Sequence, residues 1–205
     1  MKVTDVSPQK NNSLRVSVFV DGEYSFSLDA AEAVLKGIKT GKELSAKDIK
    51  NLLMDCEFSK ARDYALGVLS HKAITSHLLM QKLLEKGYDQ IIAVEVINEL
   101  TDLGYIDDFS YATMFLEYCM EKVWGKKKIR FEMKNKGLSD EIIEDVIETI
   151  DDDMFFEPMK EIIISKYGCD DLTDIKTKNK ITRYFASRGF DFSQINFVIK
   201  EISDE

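Results

Sequence analysis

The chain of 205 residues is 44% apolar and 32% charged, a balance that fits a soluble globular protein able to build a core. Its formal net charge of −9 argues against non-specific adhesion to DNA or to an anionic membrane, although a local basic face can override the overall sign. No apolar run approaches the ~18 residues of a membrane span and no signal-peptide pattern opens the chain, so a cytoplasmic location is expected.

Residues 1–57 form an amino-terminal extension built around a hairpin. Leu14, Val16, Val18 and Val20 alternate with Arg15, Ser17 and Phe19, and Asp21-Gly22 turns the chain into Tyr24, Phe26 and Leu28. A two-residue Asp-Gly loop would pair even positions with odd ones and waste the apolar face. The expected turn is therefore the three-residue loop Val20-Asp21-Gly22, a bulged hairpin pairing Val18 with Tyr24 and Val16 with Phe26. Val3 to Val6 supply a third strand across the polar loop Gln9 to Ser13. A sheet this small needs helices against its apolar face. Asp29 caps a short one ending before Gly37, and Ser45 with Asp48 makes a capping box for the next. Apolar positions keep helical spacing from Ile49 to His71, so one long helix is expected to join the extension to the first repeat without a break.

From residue 58 onward a pattern recurs three times. Leu79 and Leu83 precede Gly87 by eight and four positions, and Val96, Ile97 and Leu100 follow it by nine, ten and thirteen. The same offsets give Ile129, Met133, Val146, Ile147 and Ile150 around Gly137, and Ile181, Phe185, Val198, Ile199 and Ile202 around Gly189. These are the apolar faces of two helices joined at a glycine, which ends the first helix in a positive-φ conformation. A further helix stands upstream of each pair, at Phe58 to Leu69, Phe109 to Val123 and Met154 to Tyr167. The expected fold is mainly α: three tandem three-helix repeats (58–106, 107–152 and 153–205) forming an elongated curved stack after a small β-hairpin and its helices. Asp107 or Asp108 caps the helix that carries Tyr111, while Tyr105 and Ile106 close the first repeat as packing residues.

Charge is lopsided in the second repeat. Seven cations, Lys122, Lys126, Lys127, Lys128, Arg130, Lys134 and Lys136, stand against Glu132 alone. The acidic run Asp140, Glu141, Glu144, Asp145, Glu148, Asp151, Asp152, Asp153 and Glu157 comes next. The third repeat has a smaller basic helix with Lys176, Lys178, Lys180, Arg183 and Arg188. If equivalent helices align, Lys126, Lys127, Lys128, Arg130, Lys134, Arg183 and Arg188 make a basic ridge suited to an acidic partner; the bland alternative is a solvated helix face. Trp124 packs the end of its helix, with base stacking as the alternative.

No catalytic chemistry is legible. Phosphate loop, dinucleotide fingerprint, metal-spaced cluster and triad are all missing, so no enzyme activity, metal or cofactor is expected. Asp107 and Asp108 lack a third ligand, and His71 and His77 lack a nucleophile at a useful spacing. Cys56, Cys119 and Cys169 are read as reduced thiols filling core gaps.

The tandem units, Ala65-Leu66 through Leu83 and Lys86-Gly87-Tyr88, and above all Leu103-Gly104-Tyr105-Ile106-Asp107-Asp108 followed by Tyr111-Ala112, resemble the RecX family, regulators of the RecA recombinase in DNA repair and homologous recombination. The segment Val20-Asp21-Gly22-Glu23-Tyr24-Ser25-Phe26-Ser27-Leu28 is similar to the extension that longer members carry. The resemblance implies an all-helical repeat protein that binds RecA, lies along its filament on single-stranded DNA, and restrains ATPase and strand exchange; the chain itself is expected to be a monomer. Weak contact with single-stranded DNA is compatible with it. The alternative is a direct DNA binder using its helix pairs as helix-turn-helix units.

Overall fold

Residues 1–10, 12–168, 172 and 174–204 are described by the computed structural model; Cys169 lies outside them. Strands β1 (Val3–Gln9), β2 (Asn12–Val20) and β3 (Glu23–Asp29) form an antiparallel sheet in that order. The expected third strand is present and longer than Val3 to Val6. The turn differs from expectation. Val20 pairs with Glu23 across a two-residue Asp21-Gly22 loop, and both loop residues take positive φ, 51° and 94°. Aspartate and glycine both tolerate that mirror-image turn. Parity is corrected inside the strand instead: the register shifts between Val18 and Phe19, leaving Ser25 as the extra residue, so that Val18 faces Phe26 and Val16 faces Leu28. Phe26 and Leu28 are thereby buried while Tyr24 is exposed.

Helix α1 (Ala30–Leu35) is capped by Asp29, and α2 (Ala46–Leu69) begins with the expected capping box of Ser45 and Asp48. The remaining helices are α3 (Ser76–Glu85), α4 (Gln90–Asp102), α5 (Asp108–Glu121), α6 (Lys126–Asn135), α7 (Asp140–Glu148), α8 (Phe156–Tyr167, after a 3-10 turn at Asp152–Phe155), α9 (Ile175–Ser187) and α10 (Phe192–Asp204).

The chain forms two compact units, Met1–Lys72 with Met80–Asp102, and Ala73–Leu79 with Leu103–Glu205. In the first, Val3, Val18, Phe26 and Leu28 of the sheet share a core with Ala33, Ile38, Leu44, Leu52 and Cys56. The core of the second runs from Ala112 and Cys119 through Ile129, Met133 and Ile143 to Phe185 and Ile202.

All fifteen apolar positions defined by the three glycines are buried. Each glycine has positive φ: 96° at Gly87, 75° at Gly137 and 89° at Gly189. At each, the glycine N–H bonds a carbonyl three residues back, and the next residue's N–H reaches five back, from Tyr88 to Leu83, Leu138 to Met133 and Phe190 to Phe185. These are Schellman closures, which satisfy carbonyls that a helix end leaves open.

Candidate functional site

The basic helix α6 forms a charge zipper with the acidic helix α7 and the 3-10 turn that follows it. Lys126 Nζ lies 3.2 Å from Asp152, Arg130 donates through Nε and Nη2 to both oxygens of Glu144 at 2.8 Å each, and Lys134 Nζ lies 2.9 Å from Asp140. The residue numbers rise on one side and fall on the other, as an antiparallel pair requires. The sign reversal in the sequence is thus in part internal complementarity, with three of the seven cations answered by three of the nine carboxylates. The bond from Arg130 holds the Glu144 carboxyl below its ordinary range, and the same bond raises Arg130.

The other half of the ridge is arranged differently. Lys127 pairs with Asp191. Lys128 Nζ sits 4.4 Å above the Trp124 ring, and the Arg188 guanidinium lies 4.5 Å above Tyr184 while donating to the Lys122 carbonyl. Arg183 is exposed. Among the described residues, Lys128, Arg183 and Arg188 have no carboxylate partner.

One junction brings Lys127, Lys128 and Arg188 together. Gly125, the N-cap of α6, donates its N–H to the Arg188 carbonyl at 2.8 Å. The backbones meet so closely that a Cβ on Gly189 would stand 2.3 Å from Lys128 N, and one on Gly125 would stand 2.5 Å from the Gly189 carbonyl oxygen. The same device recurs one repeat earlier, where the Thr75 hydroxyl, just before α3, donates to the Lys136 carbonyl at 2.7 Å. In both places the residue that opens a repeat's second helix bonds the carbonyl immediately before the next repeat's glycine. Arg130 and Lys134 lie further along α6, and Arg183 stands more than a turn before the junction on α9.

Beside the ridge, α5 carries a row of rings. Tyr111 and Phe115 are 6.3 Å apart between centroids, Phe115 and Tyr118 6.0 Å, and Tyr118 and Trp124 6.0 Å edge to face. Lys136 and Lys122 lie over Phe115 and Tyr118 at 4.7 and 5.5 Å. Trp124 packs the end of α5 as expected, and Lys128 occupies one of its faces. Tyr105 is a correction: Ile106 closes the repeat at 3% exposure, but Tyr105 is 59% exposed. A large aromatic ring at a helix junction does not declare which way it points until its neighbours are placed.

Phe131 was missed by the sequence reading. It is 62% exposed on α6 and shares a helical face with Lys127, Lys128 and Lys134. The signal was available, because Phe131 breaks the apolar spacing of Ile129 and Met133.

No group of three or more metal-ligating side chains occurs among the described residues. The buried Cys119 thiol is pushed up to about 12, chiefly by desolvation and then by Glu132, and burial raises Cys56 too. Neither thiol is suited to be a nucleophile.

Residues 1–45 match the family model for the regulatory protein RecX N-terminal domain, and residues 107–147 match that for the RecX second three-helix domain. The chain is 30% identical to the regulatory protein RecX of Clostridium botulinum (strain Eklund 17B / Type B), with 98% of this chain and 95% of that one covered. It is 29% identical to the regulatory protein RecX of Clostridium acetobutylicum, with 99% and 97% covered. A crystal structure of a regulatory protein RecX shares the fold at TM-score 0.77 and 22% identity, covering 100% of this chain and 99% of that one. That of RecX from Lactobacillus salivarius gives TM-score 0.64 at 27% identity over 73% of this chain and 98% of that one. On the full-length identity to the botulinum protein and the two domain matches, the chain belongs to the RecX family of regulatory proteins.

Proposed function

We propose that this chain binds the RecA recombinase, or its filament on single-stranded DNA, and restrains its ATPase and strand exchange, docking through Lys126, Lys127, Lys128, Arg130, Lys134, Arg183 and Arg188. The observation that carries the reading is the position of Lys126, Lys127 and Lys128 in the first turn of α6. A helix start repels positive charge by its own dipole, so three consecutive lysines there oppose the helix itself, and carboxylates answer only Lys126 and Lys127. Exposed Phe131 on the same helix supplies an aromatic group of the kind that anchors protein interfaces. The cations that lack a carboxylate partner, Lys128, Arg183 and Arg188, carry most of the charge free to meet an acidic surface.

The test is fluorescence anisotropy of labelled single-stranded DNA at two salt concentrations, with and without RecA. Binding that needs RecA supports the reading. Equal binding to bare DNA, weakening steeply with salt, moves it to direct nucleic-acid recognition.

A further inference from the structure

A second basic region lies in the first unit, and unlike the ridge, where four of seven cations are paired, it has no lysine held by a carboxylate among the described residues. Tyr64, Gly67, Val68, His71, Lys72 and Lys82 line a cleft of about 450 Å³ between α2 and α3. Among the described residues neither Lys72 nor Lys82 has an ion-pair partner, and Lys86 nearby lies 5.8 Å over the Tyr64 ring rather than against a carboxylate. The floor is apolar and lacks a side chain at its centre. Gly67 sits in the last turn of α2, and a Cβ there would meet nothing within 4 Å. Glycine weakens a helix relative to alanine. No crowding explains it here, so the open floor is what this glycine provides. His71 is tied down by its Nδ1 contact with the Gly67 carbonyl at 2.7 Å, which holds the ring at the rim.

We propose that this cleft binds an acidic peptide segment that places an aliphatic side chain on Gly67 and Val68 and its carboxylates against Lys72 and Lys82. A nucleic-acid strand fits less well. The aromatic surface in the cleft is Tyr64, and it is already faced by Lys86 and by Tyr88, whose ring lies 6.1 Å away, leaving no platform for a base. An apolar floor with a rim of unpaired ammonium groups matches alternating acidic and aliphatic side chains instead. The site is independent of the ridge and of the RecA reading.

The test is anisotropy of a fluorescein-labelled eight-residue peptide alternating glutamate and leucine, titrated with the full chain. Binding should weaken at least about ten-fold in Lys72→Glu/Lys82→Glu, the result of reversing two rim charges. It should be lost in Gly67→Leu, which fills the floor while leaving the melting temperature unchanged or higher. Lys176→Glu/Lys180→Glu, two exposed positions on α9 outside both the cleft and the ridge, should bind as the unmodified chain does. The proposal is overturned if the peptide does not bind or binds all variants equally. It is also overturned if a glutamine-for-glutamate peptide binds as well, or if an oligothymidylate of equal charge binds the cleft in preference.

Discussion

Asp108, at the start of α5, accepts hydrogen bonds from both the backbone N–H and the hydroxyl of Ser76, at 2.8 and 2.5 Å, and so caps α3 from another helix. Its neighbour Asp107 caps α5 itself through Ser110 N at 2.9 Å. Two adjacent carboxylates, a metal or acid/base pair at first sight, thus serve two different helix starts. Replacing Asp108 by alanine should cost about 1–2 kcal/mol, as for a strong cap. Because the partners act together, Ser76→Ala in that background should add little. Urea denaturation of the single and double variants checks both statements.

The Asp107 carboxyl lies below its ordinary 3.8, owing first to the Ser110 N–H and then to the Ser110 hydroxyl. A depressed carboxylate contributes stability that is fully present above the unfolded value and is lost as pH falls through the folded one. Asp107→Asn keeps a cap but cannot titrate. Its urea midpoint should therefore fall less than that of the unmodified chain as pH is taken below about 4, with the remaining slope set by Asp48, Glu144 and Asp174, which are lowered too.

Three glycines equivalent in sequence should not be equivalent in tolerance. Gly87→Ala meets only the strain of positive φ, about 1–2 kcal/mol, since nothing stands within 4 Å of a new Cβ. A Cβ on Gly137 would fall 2.1 Å from His77 Cγ, and one on Gly189 would fall 2.3 Å from Lys128 N. Those two replacements should cost at least about 1 kcal/mol more, through overpacking. Equal midpoints for all three would contradict the close approaches between repeats.

The zipper between α6 and α7 predicts a rescue. Arg130→Glu should lower the melting temperature by placing two carboxylates together, and Arg130→Glu/Glu144→Arg should restore most of the loss. Failure of the swap to restore it would assign Arg130 to packing rather than pairing.

How much was legible beforehand divides by range. Offsets around the three glycines located all fifteen core positions because helix period and burial are local consequences of sequence. Ser45-Asp48 and Asp29 were legible for the same reason. The hairpin bulge was not: parity demanded a correction, but nothing local told the loop from the strand, and Ser25 absorbed it. Nor could charge order alone distinguish the cations answered by carboxylates from those left free. That distinction needs the antiparallel pairing of Lys126, Arg130 and Lys134 with Asp152, Glu144 and Asp140. Gly67, Lys72 and Lys82 form no run in the sequence, because they come from the end of α2, the connection after it and α3.

The proposed function is tested most directly by the DNA-dependent ATPase of RecA, titrated with the unmodified chain and with Lys128→Glu/Arg183→Glu, using circular dichroism as a folding control. Exposed interface charges contribute on the order of 0.2–1 kcal/mol each, and reversal roughly doubles the effect. At about 1.4 kcal/mol per decade, the double variant should need roughly ten-fold more protein for the same inhibition. The unmodified chain should lower the ATPase rate saturably. A rate that stays unchanged at saturating concentrations of the well-folded chain would contradict the proposal, and equal inhibition by the double variant would remove the ridge from it.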